Sequence, residues 1–263
     1  MKNMTRTTPA ANFSRAVMRG LAAISVLLVA GCAYNETLGR NQLLFVSQGE
    51  MAQLASSAWT DLKKQEKISK DPKYTNRVNR VVPKVIQGAG GNPSEWEVQV
   101  FQSDQLNAFA LPGGKIGIYT GILDIMDNDD QIAAVLGHEV AHVNFNHSGE
   151  RYSQSAAAQT ALGAGSAAFG GSQVGGAAMQ ALGLGAQVGL LLPFSRKHEL
   201  EADKFGVRYM ARAGYNPNEA VKFWEKMSAS KNGAPPEFLS THPSDATRIT
   251  QLKREIALLN SGS

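Results

Sequence analysis

His138, Glu139 and His142, in the run Gln131 to His147 (QIAAVLGHEVAHVNFNH), are the residues whose types and spacing point to chemistry. On an α-helix His138 and His142 stand four positions apart and project from one face, near enough to bind one metal ion. Glu139 lies one step round, where its carboxylate can take a proton from water beside the metal. Two neutral imidazoles and an adjacent carboxylate are what metal-assisted hydrolysis of a peptide bond needs, and zinc is the ion expected, one per chain. The competing reading is a helix with satisfied polar groups. Accident would place these three residues in a chain this long roughly one time in a hundred, so it explains them poorly. A structural or catalytic zinc then needs a further ligand downstream.

The elements around this run follow from its flanks. Asn128, Asp129 and Asp130 supply a cap and first-turn acids, and Ile132, Ala133, Leu136, Val140 and Val143 a buried side. Upstream, Asn107 to Tyr119 (NAFALPGGKIGIY) reads as strand, turn at Pro112-Gly113-Gly114, and strand. It is an ordinary hairpin, or one whose free edge, through Asn107, Ala108, Phe109, Ala110 and Leu111, also holds an extended peptide by backbone hydrogen bonds. Downstream, His198 to Asp203 (HELEAD) opens another helix. Glu199 and Asp203 share a face there, so Glu199 is the natural third ligand and Asp203 can orient an imidazole from behind. His198 points elsewhere, while Glu201 and Lys204 read as a solvated helix start. His242, just before Pro243, is either a helix-start residue or part of the site.

The remaining pattern is mostly helical. Ser47 and Glu50 form a capping box for a helix to about Lys64, and Asp71-Pro72 starts another carrying Tyr74, Val78, Val81 and Ile86, with Pro83 inside it. Trp96, Val98 and Val100 alternate as in a half-buried strand. Later helices carry Phe223, Trp224 and Met227, then Ile249, Leu252, Ile256 and Leu259, with Gly233 to Pro236 between them. Tyr152 to Ser195 is Gly/Ala-rich and carries no charged residue. It reads as two helical segments, near Ser155 to Phe169 and Val174 to Leu192, or alternatively as a membrane-dipping hairpin.

Composition bounds the rest. The chain has 26 basic and 22 acidic residues, net +4. Lys2, Arg6, Arg15 and Arg19 carry that excess, so the remainder is balanced and no basic patch for nucleic acid is expected. The single cysteine, Cys32, excludes a disulfide framework. Leu21 to Ala30 is an apolar run too short to span a bilayer comfortably. It matches the core of a secretory signal, the alternative being a retained anchor helix. Val29-Ala30-Gly31-Cys32 resembles the bacterial lipobox, which implies residues 1–31 as a signal peptide and acyl chains on Cys32. Ala33, rather than an aspartate, then implies the outer membrane, on its periplasmic face. Residues 32–46 read as a tether and 47–263 as one catalytic domain.

The spacing also sorts families. A metzincin would carry a glycine at position 145 and a histidine at 148, which here are Phe145 and Ser148, and His147 reads as structural. NAFALPGG at Asn107 to Gly114, HEVAH at His138 to His142, ELEAD at Glu199 to Asp203, and His242-Pro243 occur in the order found in the HtpX-like, CAAX-prenyl-protease-related gluzincin zinc metallopeptidases. The resemblance covers nearly all of the chain after Cys32 and is nearest to the LoiP/BepA-type periplasmic lipoprotein members. It implies an α+β, mainly helical, zincin-like domain with a small antiparallel sheet beside the metal-binding helix. It further implies zinc on His138, His142 and Glu199, Glu139 as general base, and His242 approaching the metal, either as an inhibitory ligand or as an oxyanion stabiliser. Helical repeats after the peptidase and multiple apolar spans, both found in relatives, are not expected. The implied substrates are unfolded or misassembled envelope proteins. The rival function is a chaperone or assembly lipoprotein that holds such clients and rarely cuts them.

Overall fold

A computed structural model describes residues 32–168, 194–229, 237–243 and 246–261, with side chains to residue 160 in the first segment and from residue 238 in the third. The expected signal segment, the second Gly/Ala-rich helix and the Gly233 to Pro236 break lie outside the described residues.

The chain-order elements are β1 (Cys32–Asn35), β2 (Arg40–Leu43), α1 (Gln48–Gln65), α2 (Pro72–Gly88), β3 (Glu97–Phe101), β4 (Ala108–Leu111), β5 (Lys115–Tyr119), α3 (Thr120–Asp124), α4 (Asp129–Asn144), α5 (His147–Ala168), α6 (Arg196–Arg212), α7 (Asn218–Ala229), α8 (Glu237–Thr241) and α9 (Ala246–Asn260). The domain is mainly helical with two small sheets.

Local chemistry accounts for the helix starts. Ser47 and Glu50 make the reciprocal capping box, Asp71 accepts from the Lys73 amide at 2.8 Å, Asn128 from Gln131 at 3.0 Å, and Ser195 from His198 at 3.2 Å. The helix α2 continues through Pro83 to Gly88. The helix α5 starts at His147, eight residues before the position read from its alanine content, and its first turns bury His147, Ser148, Glu150, Arg151 and Ser153.

The three-stranded sheet has the order β3-β5-β4 and is mixed. The β4 and β5 strands form the expected antiparallel hairpin, with Ala108 opposite Ile118 and Leu111 opposite Lys115. The β3 strand instead runs parallel to β5, Glu97 opposite Lys115. A parallel pair needs a crossover, and here β4 and its flanking loops supply it. Alternation shows that β3 is a strand but carries no information on its direction. As a result β4 is an edge strand lying along α4.

The segment 32–46, read as a tether, is largely folded. The β1 and β2 strands pair antiparallel about a turn in which the Leu38 amide donates to Asn35 Oδ1 at 3.1 Å and Gly39 takes φ 64°. This hairpin lacks an apolar face. It is held by polar side chains, Arg40 and Gln42, that reach residues far along the chain, so periodicity could not reveal it.

The core is centred on α4, in which every residue from Gln131 to His142 is buried. Its main partner is α6. A Cβ on Gly137 would stand 2.6 Å from the Gly206 carbonyl oxygen, and one on Gly206 2.8 Å from the His138 amide nitrogen. The two helices therefore cross backbone to backbone, which brings a short carboxylate on α6 up to the imidazoles on α4. Among the described residues no helix is long and apolar enough to cross a membrane.

Candidate metal centre

His138 and His142 project from α4, Glu199 from the first turn of α6, and His242 from the residue after α8. Potential ligand atoms from these four buried residues all lie within 4.8 Å of one another. His138 Nε2 is 3.1 Å from His142 Nε2, 3.2 Å from His242 Nδ1 and 3.4 Å from Glu199 Oε2. Glu199 Oε1 is 3.1 Å from His242 Nδ1 and 3.4 Å from His142 Nε2. Ligands at 2.0–2.1 Å from a tetrahedral zinc stand about 3.3 Å apart, so these donors are spaced as one ion requires.

Hydrogen bonding supports the same fit. His138 Nδ1 lies 2.9 Å from Asp203 Oδ1, so its proton sits there and the Nε2 lone pair faces inward. His142 Nδ1 is 2.9 Å from His147 Nδ1, leaving His142 Nε2 toward the same point. Glu139 Oε1 is buried without a hydrogen bond of good angle, which in a native interior calls for an unseen partner. Two imidazole nitrogens, a carboxylate and a third imidazole suit zinc better than a hard, oxygen-seeking cation.

Glu139 is placed beside the cluster. Its Oε2 accepts from the Ala110 amide at 3.1 Å, while its Oε1 is 3.3 Å from His242 Nε2. Burial raises the Glu139 carboxyl above its ordinary range, partly opposed by His242 and His138. Burial pushes the His138 imidazole down, yet Glu199 and Asp203 outweigh it and lift it to about 9. For His142 burial prevails and holds the ring neutral. Burial opposes ionisation of Glu199, but His242, Arg248 and His138 overcome it and keep the carboxylate well below its usual range.

Of the five residues read as a peptide-holding strand, Asn107 precedes β4. Its carbonyl accepts from Tyr119, so alternation turns the backbones of Ala108 and Ala110 outward and those of Phe109 and Leu111 toward β5. The Phe109 ring packs edge-on against Trp59 of α1.

Several site residues were missed. Arg248 on α9 is buried, donating to both Asp203 oxygens at 2.8 and 2.7 Å, with Nη1 2.6 Å from Glu199 Oε2 and its guanidinium 4.2 Å from the Trp224 ring centre. A charge in the apolar stripe it shares with Leu252 and Ile256 was the available signal. Phe194 stacks on His142 at 3.8 Å, and His147 lies behind that imidazole. Glu201 is not a free, solvated helix-start residue. It is only partly exposed and joins Arg40 at 2.6 Å, and its carboxyl falls to about 2, since His147 and Arg40 together overcome burial. His198 does point elsewhere, with Nε2 3.1 Å from Glu150 Oε2.

A two-histidine helix crossed by a helix bearing the third donor, with a further carboxylate and an edge strand alongside, is the architecture of gluzincin metallopeptidases. Residues 72–256 match Peptidase family M48, and the chain belongs to that family. It is 38% identical over 178 residues to the mitochondrial metalloendopeptidase OMA1 of Schizosaccharomyces pombe, covering 67% of this chain and 51% of that protein. To the mitochondrial metalloendopeptidase OMA1 of Danio rerio it is 34% identical over 245 residues, 83% of this chain and 49% of that one. To the beta-barrel assembly-enhancing protease of Escherichia coli K12 it is 28% identical over 215 residues, 79% and 44% respectively. The chain thus spans about half the length of the curated relatives it matches.

Proposed function

We propose that this chain is a zinc-dependent endopeptidase that cuts unfolded or misassembled proteins of a bacterial envelope while anchored to the outer membrane through lipid on Cys32. The observation that carries the activity is the convergence of His138, His142, Glu199 and His242 on one point with Glu139 beside it. His138, His142 and Glu199 would hold the ion. Zinc held there supplies Lewis acidity, polarising a carbonyl and lowering the pKa of water to about 7.

The protein's own groups do the rest. Glu139, oriented by the Ala110 amide, takes the proton of the attacking water and returns it to the leaving amine. A substrate strand lies antiparallel to β4, pairing with the outward backbone groups of Ala108 and with the Ala110 carbonyl. That geometry favours segments whose backbone is free to pair. The envelope role draws on the lipobox-like Val29 to Cys32 and on the beta-barrel assembly-enhancing relative.

The resting enzyme is latent. All five centre residues are at most 2% exposed, and His242 sits at the position of a fourth donor. The segment carrying His242 is pinned on both sides, the Phe238 amide to the Leu106 carbonyl at 3.1 Å and the Phe194 amide to that of Thr241 at 2.9 Å. Faster cutting by His242→Ala at equal zinc occupancy supports this gate, and a kcat loss of orders of magnitude makes His242 an oxyanion stabiliser instead.

The same burial gives the holding reading its foothold. Degradation of a casein-like unfolded substrate, abolished by a chelator and by Glu139→Gln, separates the two. Binding without cutting by fully zinc-loaded wild type and His242→Ala rejects the peptidase reading. Release of the protein from membranes by Cys32→Ser checks the anchor.

A further inference from the structure

We propose that Arg40, on the hairpin outside the family-matched region, is a positioning residue for the metal centre, acting on His142 through Glu201 and His147. The inference rests on the reading of His142 as a ligand.

For His142 to aim the Nε2 lone pair inward, its Nδ1 must carry the proton, and the group facing that proton is His147 Nδ1 at 2.9 Å. His147 must therefore accept on Nδ1 and carry its own proton on Nε2. That nitrogen is 3.1 Å from Glu201 Oε2, although the angle falls short of a good hydrogen bond. The His147 ring is confined, since it stacks on His198 at 4.5 Å with the planes 17° apart. Its alignment toward His142 thus depends on where Glu201 stands.

Glu201 is held by a two-edged fork. Arg40 Nε and Nη2 donate to its two oxygens at 2.6 and 2.7 Å, while Nη1 and Nη2 donate to those of Glu150 at 2.7 and 2.8 Å. Gln42 adds a bond to Glu150 at 2.9 Å. A planar guanidinium can bridge two carboxylates in this way, and an ammonium cannot. Without Arg40 two carboxylates would face each other with no cation between them. Glu201, with its side chain 14% exposed, has room to turn toward water and leave His147 without a partner.

A clamp that merely fastens the hairpin would use both carboxylates alike, because both pair with Arg40. A positioning device would not, because it is Glu201 that faces His147. The test measures zinc affinity by competition with a chromophoric chelator, and the visible absorption of the cobalt-substituted protein, in wild type, Glu201→Gln, Glu150→Gln, Arg40→Gln and His142→Ala. Glu201→Gln and Arg40→Gln are expected to lower zinc affinity by about 10–100-fold and shift the cobalt bands, with Glu150→Gln within about threefold of wild type. Should Arg40→Gln fail to fold, Glu201→Gln, which keeps the side-chain size, carries the comparison. Equal effects at Glu201 and Glu150, or none at Glu201, would overturn the inference while leaving the centre intact. Full zinc retention by His142→Ala would overturn the ligand reading beneath it.

Discussion

His138 and His142 look into the same centre, yet they are held from behind by different parts of the chain. Behind His138 the support is short, a carboxylate on α6 and an arginine on α9, all within the region that matches the family. Behind His142 it runs through a second imidazole and a carboxylate to Arg40, which lies before that region. The near support is dry and compact, with Asp203 and Arg248 side chains 3% exposed, whereas Arg40 and Glu201 are 10% and 14% exposed. One imidazole is thus fixed by the shared peptidase core. The other depends on a hairpin that lies before the residues matching the family.

Removing the cation on each side is the strongest way to break that comparison. Arg248→Ala would strand Asp203 and Glu199 as buried carboxylates, and is expected to cost about 3–5 kcal/mol in denaturant unfolding of the metal-free protein. Arg40→Ala should cost less, since water can reach its partners. Equal losses would mean that the two supports do not differ.

Acidity sharpens the contrast in the metal-free protein. His138, raised to about 9, contributes stability that is complete below its ordinary 6.5 and is lost as pH climbs toward 9. His147, lowered to about 4 chiefly by burial, contributes stability that is complete above 6.5 and is lost as pH falls toward 4. Thermal stability should therefore decline on both sides of pH 6.5, and His142, which burial also holds neutral, steepens the acid limb. Asp203→Asn should blunt the alkaline limb and His147→Gln the acid limb. A flat profile between pH 5 and 8 would remove the asymmetry.

The smallest effect concerns the end of α4 that both imidazoles share. Asn128→Ala removes the cap of that helix and is expected to lower stability by about 1 kcal/mol. Because the cap is remote from both supports, the Arg40 and Arg248 variants should keep their ranking in this background. Zinc titration alongside denaturation checks it.

The two halves of the centre were legible because helical spacing puts His138 and His142 on one face of α4, and Glu199 and Asp203 on one face of α6, without reference to anything distant. The caps at Ser47, Asp71 and Asn128 and the Pro112-Gly113-Gly114 turn were legible for the same local reason. Strand direction was not, since β3 alternates identically whether it meets β5 parallel or antiparallel. Nor was the hairpin, whose arginine meets partners 110 and 161 positions away through charge rather than apolar pattern. Arg248 stood halfway, its polarity conspicuous in an apolar stripe but its target unreadable.

The hairpin also sets how far the folded domain can stand from Cys32. An extended linker over the 15 residues 32–46 would give about 50 Å of leash. Instead Cys32 is the first residue of β1, and eight residues later Arg40 is already fastened to α5 and α6. For a chain lipidated at Cys32, as proposed, the peptidase has almost no slack and rides against the bilayer. Its victims would be chosen by altitude as much as by sequence, from segments stalled at the membrane surface.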